Sequence, residues 1–377
     1  MRDGVSRTRR QEGLAPEAAE AAAGFPPLTI RHNPMLGRHA LTLCCIMRDE
    51  RFFLDAFLAH YRALGVDRFI VLDDGSSDGS TECLAAEPDV MLVASPLRYA
   101  QQIEYDAALR AQVLETRAVR LWRDQLMNQF CAGQWAIAAD ADEFLCLPEG
   151  LDARALAGRL EREGHDALWG AMIDMYPERI ADMQPGPQPG GNPGGNPGGE
   201  ARFALDAPWY FDGREHIRPA AGRAVPRGVY PGSRARLVAE HGVLPQGSLV
   251  RRLRRRLSGY RYAPHGMLYK VPLVFWREGD MFRNCHCLTK PVTPDYVLPI
   301  MHFKFTVDLQ RKVDFAVASG GYSLGSSGYK RIRDLLERMK AQDAAFLCPI
   351  SVRYRDYADF ARAGIARMPP EPQGRTA

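Results

Sequence analysis

No stretch of this sequence stays apolar long enough to cross a membrane as a helix. The longest apolar runs, such as Trp135–Ala139, are strand-sized and end in charge, far short of the roughly 18–20 residues a span needs. Neither sign of charge dominates: 49 Lys and Arg face 45 Asp and Glu, a formal net charge of +4. So small an excess makes no electrostatic case for nucleic acid as a partner. The first residues lack a basic start followed by an apolar core, so no export leader is expected there. Eight cysteines (Cys44, Cys45, Cys83, Cys131, Cys146, Cys285, Cys287 and Cys348) are scattered, several inside apolar runs. There a free thiol packs as a small hydrophobe, and a reduced, cytoplasmic setting is expected. Cys285-His286-Cys287 has no second paired set at a structural spacing, which argues against zinc.

What is present is ordinary for a globular chain, with 46% hydrophobic and 25% charged residues in 377. That length fits one large α/β domain with additions, or two modest ones. Apolar runs of strand length alternate with helical periodicity. Leu41–Met47 reads as a buried strand, followed by a helix carrying Phe53, Phe57, Tyr61 and Leu64 and ended by Gly65. Arg68–Leu72 and Val90–Val93 read as further strands, with a short helix over Thr81–Ala86 between them. Residues 103–130 read as one long helical stretch, Trp135–Ala139 as a fourth strand, Ala153–Arg162 as a helix and Ala167–Ile173 as another strand. This alternation predicts a parallel, doubly wound sheet, whose ligands bind at the carboxyl ends of the strands.

Two acidic clusters fall at such ends. Asp140 and Asp142 follow the fourth strand, and carboxylates two residues apart can point the same way. Hard oxygen ligands suit Mg²⁺ or Mn²⁺, which also takes phosphate oxygens and acts as a Lewis acid on a departing diphosphate. The plainer reading is two solvated carboxylates. The second cluster, Asp73-Asp74-Gly75-Ser76-Ser77-Asp78-Gly79, follows the second strand. Asp73 or Asp74 is placed to accept hydrogen bonds from a ribose or a base; otherwise the segment is a turn with a capped helix. A calcium loop is excluded, because its twelfth position falls on Ala85 where a bidentate Glu is required.

Taken together, Ile46-Met47-Arg48-Asp49-Glu50, His60–Asp67, Asp73–Gly79 and Asp140–Leu145 resemble the bacterial glycosyltransferase family 2 group, close to family 92. Lys270–Trp276 and Leu298–Phe305 resemble its later segments, and the matches span roughly residues 41–340. The family's usual Asn-Glu after the first strand is Asp49-Glu50 here. The resemblance implies a GT-A fold: a Rossmann-like, doubly wound mixed sheet with helices on both faces and a C-terminal extension. It implies a nucleotide-sugar donor, UDP-linked before GDP-linked, contacted by Arg48, Asp49, Glu50, Asp73, Asp74 and Asp140. It implies a divalent cation, Mn²⁺ or Mg²⁺, on Asp140 and Asp142, with His302 as a further ligand or else a buried histidine bonded to backbone. Inverting transfer to a glycan or other hydroxyl acceptor then needs a general base. Asp174 is the leading candidate, with Asp280 and Glu278 as competitors.

The division that follows is a tail over 1–38, a nucleotide-sugar half over 39–180 and a Gly/Pro insert over 184–199 that cannot build a core. An acceptor half over 200–345 and an extension over 346–377 complete it. The basic run Arg251–Arg256 could bind an acidic glycan, the donor diphosphate or an anionic inner membrane face, or be a solvated helix face. Two rival functions stand beside sugar transfer. A nucleotidyltransferase would call for a Gly-rich, Lys-containing loop near the first strand, yet Cys45–Glu50 has no glycine. A non-catalytic carbohydrate-binding protein would have no need of intact acidic pairs.

Overall fold

The computed structural model describes residues 25–183, 202–243, 267–320 and 323–370. The insert over 184–199 and the basic run Arg251–Arg256 lie outside the described residues.

The core is a six-stranded sheet in the order β1-β4-β3-β2-β5-β12, with β1 (Thr29–His32) and β12 (Leu273–Trp276) at its edges. Its centre comprises β2 (Thr42–Met47), β3 (Arg68–Asp73), β4 (Val90–Ala94) and β5 (Gln134–Ala138), all mutually parallel. Strands buried on both faces read as continuous apolar runs, as these do. Helix α1 (Arg51–Ala63) returns the chain from β2 to β3, and α2 (Ser80–Ala85) connects β3 to β4. Between β4 and β5 come α3 (Ala107–Gln112) and α4 (Ala118–Phe130). Strand alternation divides the helices between two faces. Phe69 of β3 meets Phe57 of α1, whereas Cys44 and Ile46 of β2 line a small cavity with Arg123, Leu126 and Met127 of α4. A Rossmann-like α/β arrangement with helices on both faces is therefore present.

A second sheet, β11-β7-β15-β6, extends the rim. It contains β6 (Glu143–Leu145), β7 (Leu168–Asp174, after helix α5, Ala153–Arg162), β11 (Tyr269–Lys270) and the long β15 (Thr293–His302). Strands β7 and β15 run parallel, and β6 and β11 are antiparallel to their neighbours. Chain passes from the first sheet to the second between β5 and β6, back from β11 to β12 (Leu273–Trp276), which pairs with β5, and again to the second sheet at β15. Around them lie β8 (Tyr210–Asp212), the ribbon β9 (Ile217–Arg218) and β10 (Arg227–Gly228), α6 (Ser233–Glu240) and the hairpin β13 (Phe282–Asn284) and β14 (Cys287–Leu288). Helices α7 (Asp308–Ser319) and α8 (Ser323–Ala341) follow, then β16 (Ser351–Arg353) and α9 (Tyr357–Arg362).

Two sequence expectations are corrected here. Residues 25–38, assigned to a tail, are part of the fold: β1 (Thr29–His32) pairs with β4, and the Asn33 amide donates to the carbonyls of Pro88 and Val90. Residues 103–130 are two helices, not one. Over 113–117 the chain gives up helical bonds: Ile103 N–H donates to the Thr116 carbonyl and Leu114 N–H to the Arg283 carbonyl. The C-terminal segment is likewise stitched in, with β16 paired to β8 and the Phe360 ring tilted against Phe211 at 4.5 Å between centroids. Among the described residues no helix is long and apolar enough to cross a membrane.

His60, on α1, donates from Nε2 to the Leu145 carbonyl at 2.9 Å and packs against Phe144. Burial depresses its pKa to about 4, partly offset by that carbonyl. The unfolded chain therefore binds a proton near pH 6 that the folded chain refuses, so stability falls as pH drops from about 6.5 toward 4, by up to about 1.4 kcal/mol per unit. Urea midpoints measured across that range should show the slope, and His60→Phe should make it shallower, leaving the share of His286 and His216, whose pKa values burial also lowers. An unchanged slope in the variant would assign the acid sensitivity elsewhere.

Candidate active site at the carboxyl rim

Parallel pairing brings the carboxyl ends of β2, β3 and β5 to one rim, so both acidic turns emerge on the same side of the sheet. The turn after β5 runs Asp140-Ala141-Asp142 straight into β6, where Glu143 lies opposite His302 of β15. His302 in turn lies opposite Asp174 of β7. Three strands thus deliver Glu143, His302 and Asp174 in one row.

The two carboxylates of the turn have different partners. Asp140, with 36% of its side chain exposed, faces the Arg123 guanidinium at 2.5 Å and the Lys270 ammonium at 3.0 Å. Lys270 also bonds Glu143. Burial alone would raise the Asp140 carboxyl, but Arg123 and Lys270 outweigh it and hold it below the usual carboxylate range. Glu143 is pushed up by burial and by Asp140. Asp142 points the other way, with its Oδ2 lying 3.6 Å from His302 Nε2, 3.7 Å from Lys312 Nζ and 4.0 Å from Lys304 Nζ. There Lys312 and His302 overcome burial and keep the carboxyl ionised.

His302 is buried, and its Nδ1 bonds Asp174 Oδ1 at 2.7 Å. That bond directs Nε2 toward Asp142, as a carboxylate behind a metal-binding imidazole does. Burial would lower the imidazole pKa, yet Asp142 and Asp174 together raise it. The other oxygen of Asp174 takes Arg234 Nε at 2.6 Å. Both oxygens of Asp174 are therefore engaged by cationic or polar donors, and despite burial the carboxyl is held low by Arg234 and His302. With one oxygen on His302 Nδ1 and the other on Arg234 Nε, Asp174, the leading base candidate from sequence, is placed to orient His302. Asp280, another candidate, lies apart from this group. Trp276 pairs with Gln134, so the chain after β12 leaves at the amino end of β5, the rim opposite Asp140. There Asp280 accepts from Lys290 and from Arg277 N–H, and Glu278 is exposed beside it.

The β2–α1 and β3–α2 turns are laced together. Asp49 adopts φ +55°, a left-handed conformation few side chains tolerate. It is secured by its N–H to Ser76 Oγ, by Ser77 N–H to its carboxylate and by Arg311 on its carbonyl. Asp73 is spent on its own turn, accepting from Gly75 and Ser76 N–H. Asp74 is different. It is 5% exposed, its Oδ1 has no hydrogen-bond partner among the described residues, and the nearest guanidinium, Arg98, stands 3.9 Å away. Arg48 lies over the Phe315 ring with its Nε also unsatisfied. Glu50 joins this end to the centre: its Oε2 receives Lys312 Nζ at 2.7 Å, the same ammonium that approaches Asp142. Burial raises Glu50 to about 7, against the pull of Lys312.

The acids of the two turns stand out in the sequence; most of their cations do not. Arg123, Arg234 and Lys312 come from three separate helices, and nothing local marks them. Lys270 and Lys304 lie inside the Lys270–Trp276 and Leu298–Phe305 segments, without a role that those segments assign. Cys285-His286-Cys287 forms a hairpin tip, with His286 Nδ1 on the Tyr269 carbonyl. Among the described residues no three His, Cys, Asp or Glu side chains converge on a metal position; Asp142 Oδ2 and His302 Nε2, 3.6 Å apart, are the pair that faces one another at the centre of the rim.

No known protein family and no curated protein matches the sequence. Among solved structures, the chain is similar to the crystal structure of S. aureus TarS, at 12% identity over 36% of this chain and 22% of that one, TM-score 0.26. It is also similar to a mycobacterial protein, at 20% identity over 46% of this chain and 49% of that one, TM-score 0.23. The chain thus matches about a fifth of one and about half of the other, and superposition this loose equates no individual residues.

The rim holds its buried acids only while their cations are present. Lys270→Met should strand buried Glu143 without its cation, so that it either stays charged and unpaired or must take up a proton, costing up to about 3–5 kcal/mol at neutral pH. The double variant Lys270→Met/Glu143→Gln should recover much of that loss in urea unfolding. A double variant as unstable as the single one would show that packing around Lys270, not its charge, is what matters.

Proposed function

We propose that this chain is a glycosyltransferase that moves a sugar from a nucleoside-diphosphate donor, UDP-linked by preference, to an acceptor hydroxyl with a divalent cation, in polysaccharide or glycoconjugate synthesis. The observation that carries the reading is the meeting of both acidic turns on one rim, with an unsatisfied buried carboxylate oxygen at one end and the Asp142–His302 pair at the centre.

Asp74 Oδ1 would accept an N–H from the base, which satisfies an oxygen that is otherwise costly to bury. Asp73, fully used by its turn, is the weaker of the two candidates. Asp140, partly open to solvent, would receive ribose hydroxyls. A Mg²⁺ or Mn²⁺ ion uses one or two protein ligands and completes its shell with phosphate oxygens and water, so Asp142 and His302 fit as its holders. Such an ion supplies Lewis-acid neutralisation of the departing diphosphate. Asp174 holds the Nδ1 proton of His302, leaving Nε2 as the lone-pair side, and Arg234 fixes Asp174 in turn. Lys312 and Lys304 place two ammonium groups beside Asp142, where charge builds on the leaving diphosphate. Residues 39–180 then supply the donor side, and residues 200–345 the His302 and Arg234 side. Inversion follows the family resemblance, and of the base candidates from sequence Asp174 is the one that lies at this rim.

Full-length protein incubated with UDP-sugars and Mn²⁺ should release UDP. Asp142→Ala should abolish release, and Asp174→Asn should lower it about 10–100-fold through a misoriented His302. A folded Asp142→Ala protein with full turnover would refute the metal assignment. Release of pyrophosphate from a nucleoside triphosphate would instead make the chain a nucleotidyltransferase.

A further inference from the structure

One short segment joins the rim to a histidine outside it. Gly232–Arg234 carries the Arg234 side chain to Asp174 at 2.6 Å, while the backbone at Gly232 lies against His216. A Cβ built on Gly232 would stand 3.9 Å from Cδ2 and 4.0 Å from Nε2 of that ring, so the Nε2 edge faces the first turn of α6. Gly232 has φ +83°, a conformation that favours glycine. His216, just before β9, is 2% exposed, and Tyr230 packs edge-on against it at 5.4 Å. Its Nδ1 lies 2.7 Å from the Arg214 carbonyl. A carbonyl only accepts, so Nδ1 carries the proton and Nε2 keeps its lone pair. No donor among the described residues meets Nε2. The neighbouring Ser233 Oγ, equally buried, is unsatisfied as well.

A buried lone pair without a donor is costly unless a hydroxyl or water meets it. Asp174, in the same row, has both oxygens occupied, by His302 and Arg234. Contacts run from Glu50 in the β2–α1 turn through Lys312, Asp142, His302 and Asp174 to Arg234. His216 therefore stands past the metal-ready pair, at the end of the row away from the nucleotide turn. We propose that His216 is the general base of the transfer, its Nε2 taking the proton of the acceptor hydroxyl, with Ser233 Oγ as a hydrogen-bond partner of the acceptor beside it. The assignment rests on the transferase reading. As the acceptor O–H bond breaks, its oxygen bonds the anomeric carbon of the donor sugar. The bond from that carbon to the diphosphate oxygen breaks in turn, and its electron pair leaves on the diphosphate. Burial lowers the imidazole pKa, against the Arg214 carbonyl and the Asp212 and Asp174 carboxylates, which keeps the ring neutral and ready to accept. The two carboxylates then stabilise the imidazolium, which passes its proton to water.

Azide separates a base from a merely structural histidine, because it attacks as an anion with no proton to give up. The full chain, with Mg²⁺ and the UDP-sugar that supports UDP release, is assayed with water as the acceptor. The assay is repeated with sodium azide, whose products are the glycosyl azide and UDP. His216→Gln should lower release to water about 100-fold, while azide transfer stays within about threefold of the wild type. UDP affinity, measured calorimetrically, should be unchanged in the variant. Equal loss with both nucleophiles, or no loss with either, would overturn the assignment. Nitrogen NMR of the unliganded wild type, labelled at histidine, gives a second readout that needs no turnover. At neutral pH the His216 ring should show Nδ1–H and a bare Nε2. An Nε2–H tautomer or an imidazolium there would overturn the assignment too, whatever the stability of the variant. A wild type that releases no UDP to either nucleophile would instead refute the transferase reading, and the base with it.

Discussion

Charge matching at the rim is the constraint on which the rest of this structure depends. Glu50, Asp140, Asp142, Glu143, Asp174 and Asp308 crowd into a region where most of their surface is removed from water. Desolvation of that many carboxylates is unaffordable unless each is met by a cation. Arg123, Arg234, Lys270, Lys304, Arg311 and Lys312 supply that charge from α4, α6, β11, the segment after β15 and α7. Lys312 alone approaches Glu50, Asp142 and Asp308. The rim therefore closes only when distant parts of the chain have all arrived, which couples assembly of the site to completion of the fold.

The same matching bears on chemistry. With its cations in place the rim is close to neutral, so a diphosphate entering it meets lysines and a metal-ready pair, not bare acids. The Asp142–His302–Asp174–Arg234 series alternates carboxylates with nitrogen groups along its length. Each member is held by its neighbour: a shift at Arg234 would be felt at Nε2 of His302 through two short contacts, 2.6 and 2.7 Å long. A site built on strand ends, with its side chains cross-braced in this way, is preorganised in the sense that lowers barriers without rearrangement at the moment of reaction.

The parallel core and both acidic turns were legible in the sequence. Strands buried on both faces leave uninterrupted apolar runs such as Arg68–Leu72, and a carboxylate just after such a run can only sit at the carboxyl rim. The break at 113–117 was not legible, because tertiary bonds to Ile103 and Arg283 override a locally helical pattern. Nor could the partners of Asp174 be read: a lone aspartate at a strand end shows nothing of His302, 128 residues away and in register beside it. The place of Asp280 was hidden for a related reason, since the antiparallel direction of β12 reverses which rim its loop reaches. Arg123, Arg234 and Lys312 were invisible because a lysine or arginine in an ordinary helix carries no local mark of the carboxylate it will meet.

A crystal of the full chain grown with UDP and Mn²⁺ tests the central claim most directly. The account predicts anomalous density for the ion between Asp142 and His302, the diphosphate beside Lys312, and the uracil ring against Asp74. Nucleotide bound away from this rim, or an ion coordinated without Asp142, would contradict it.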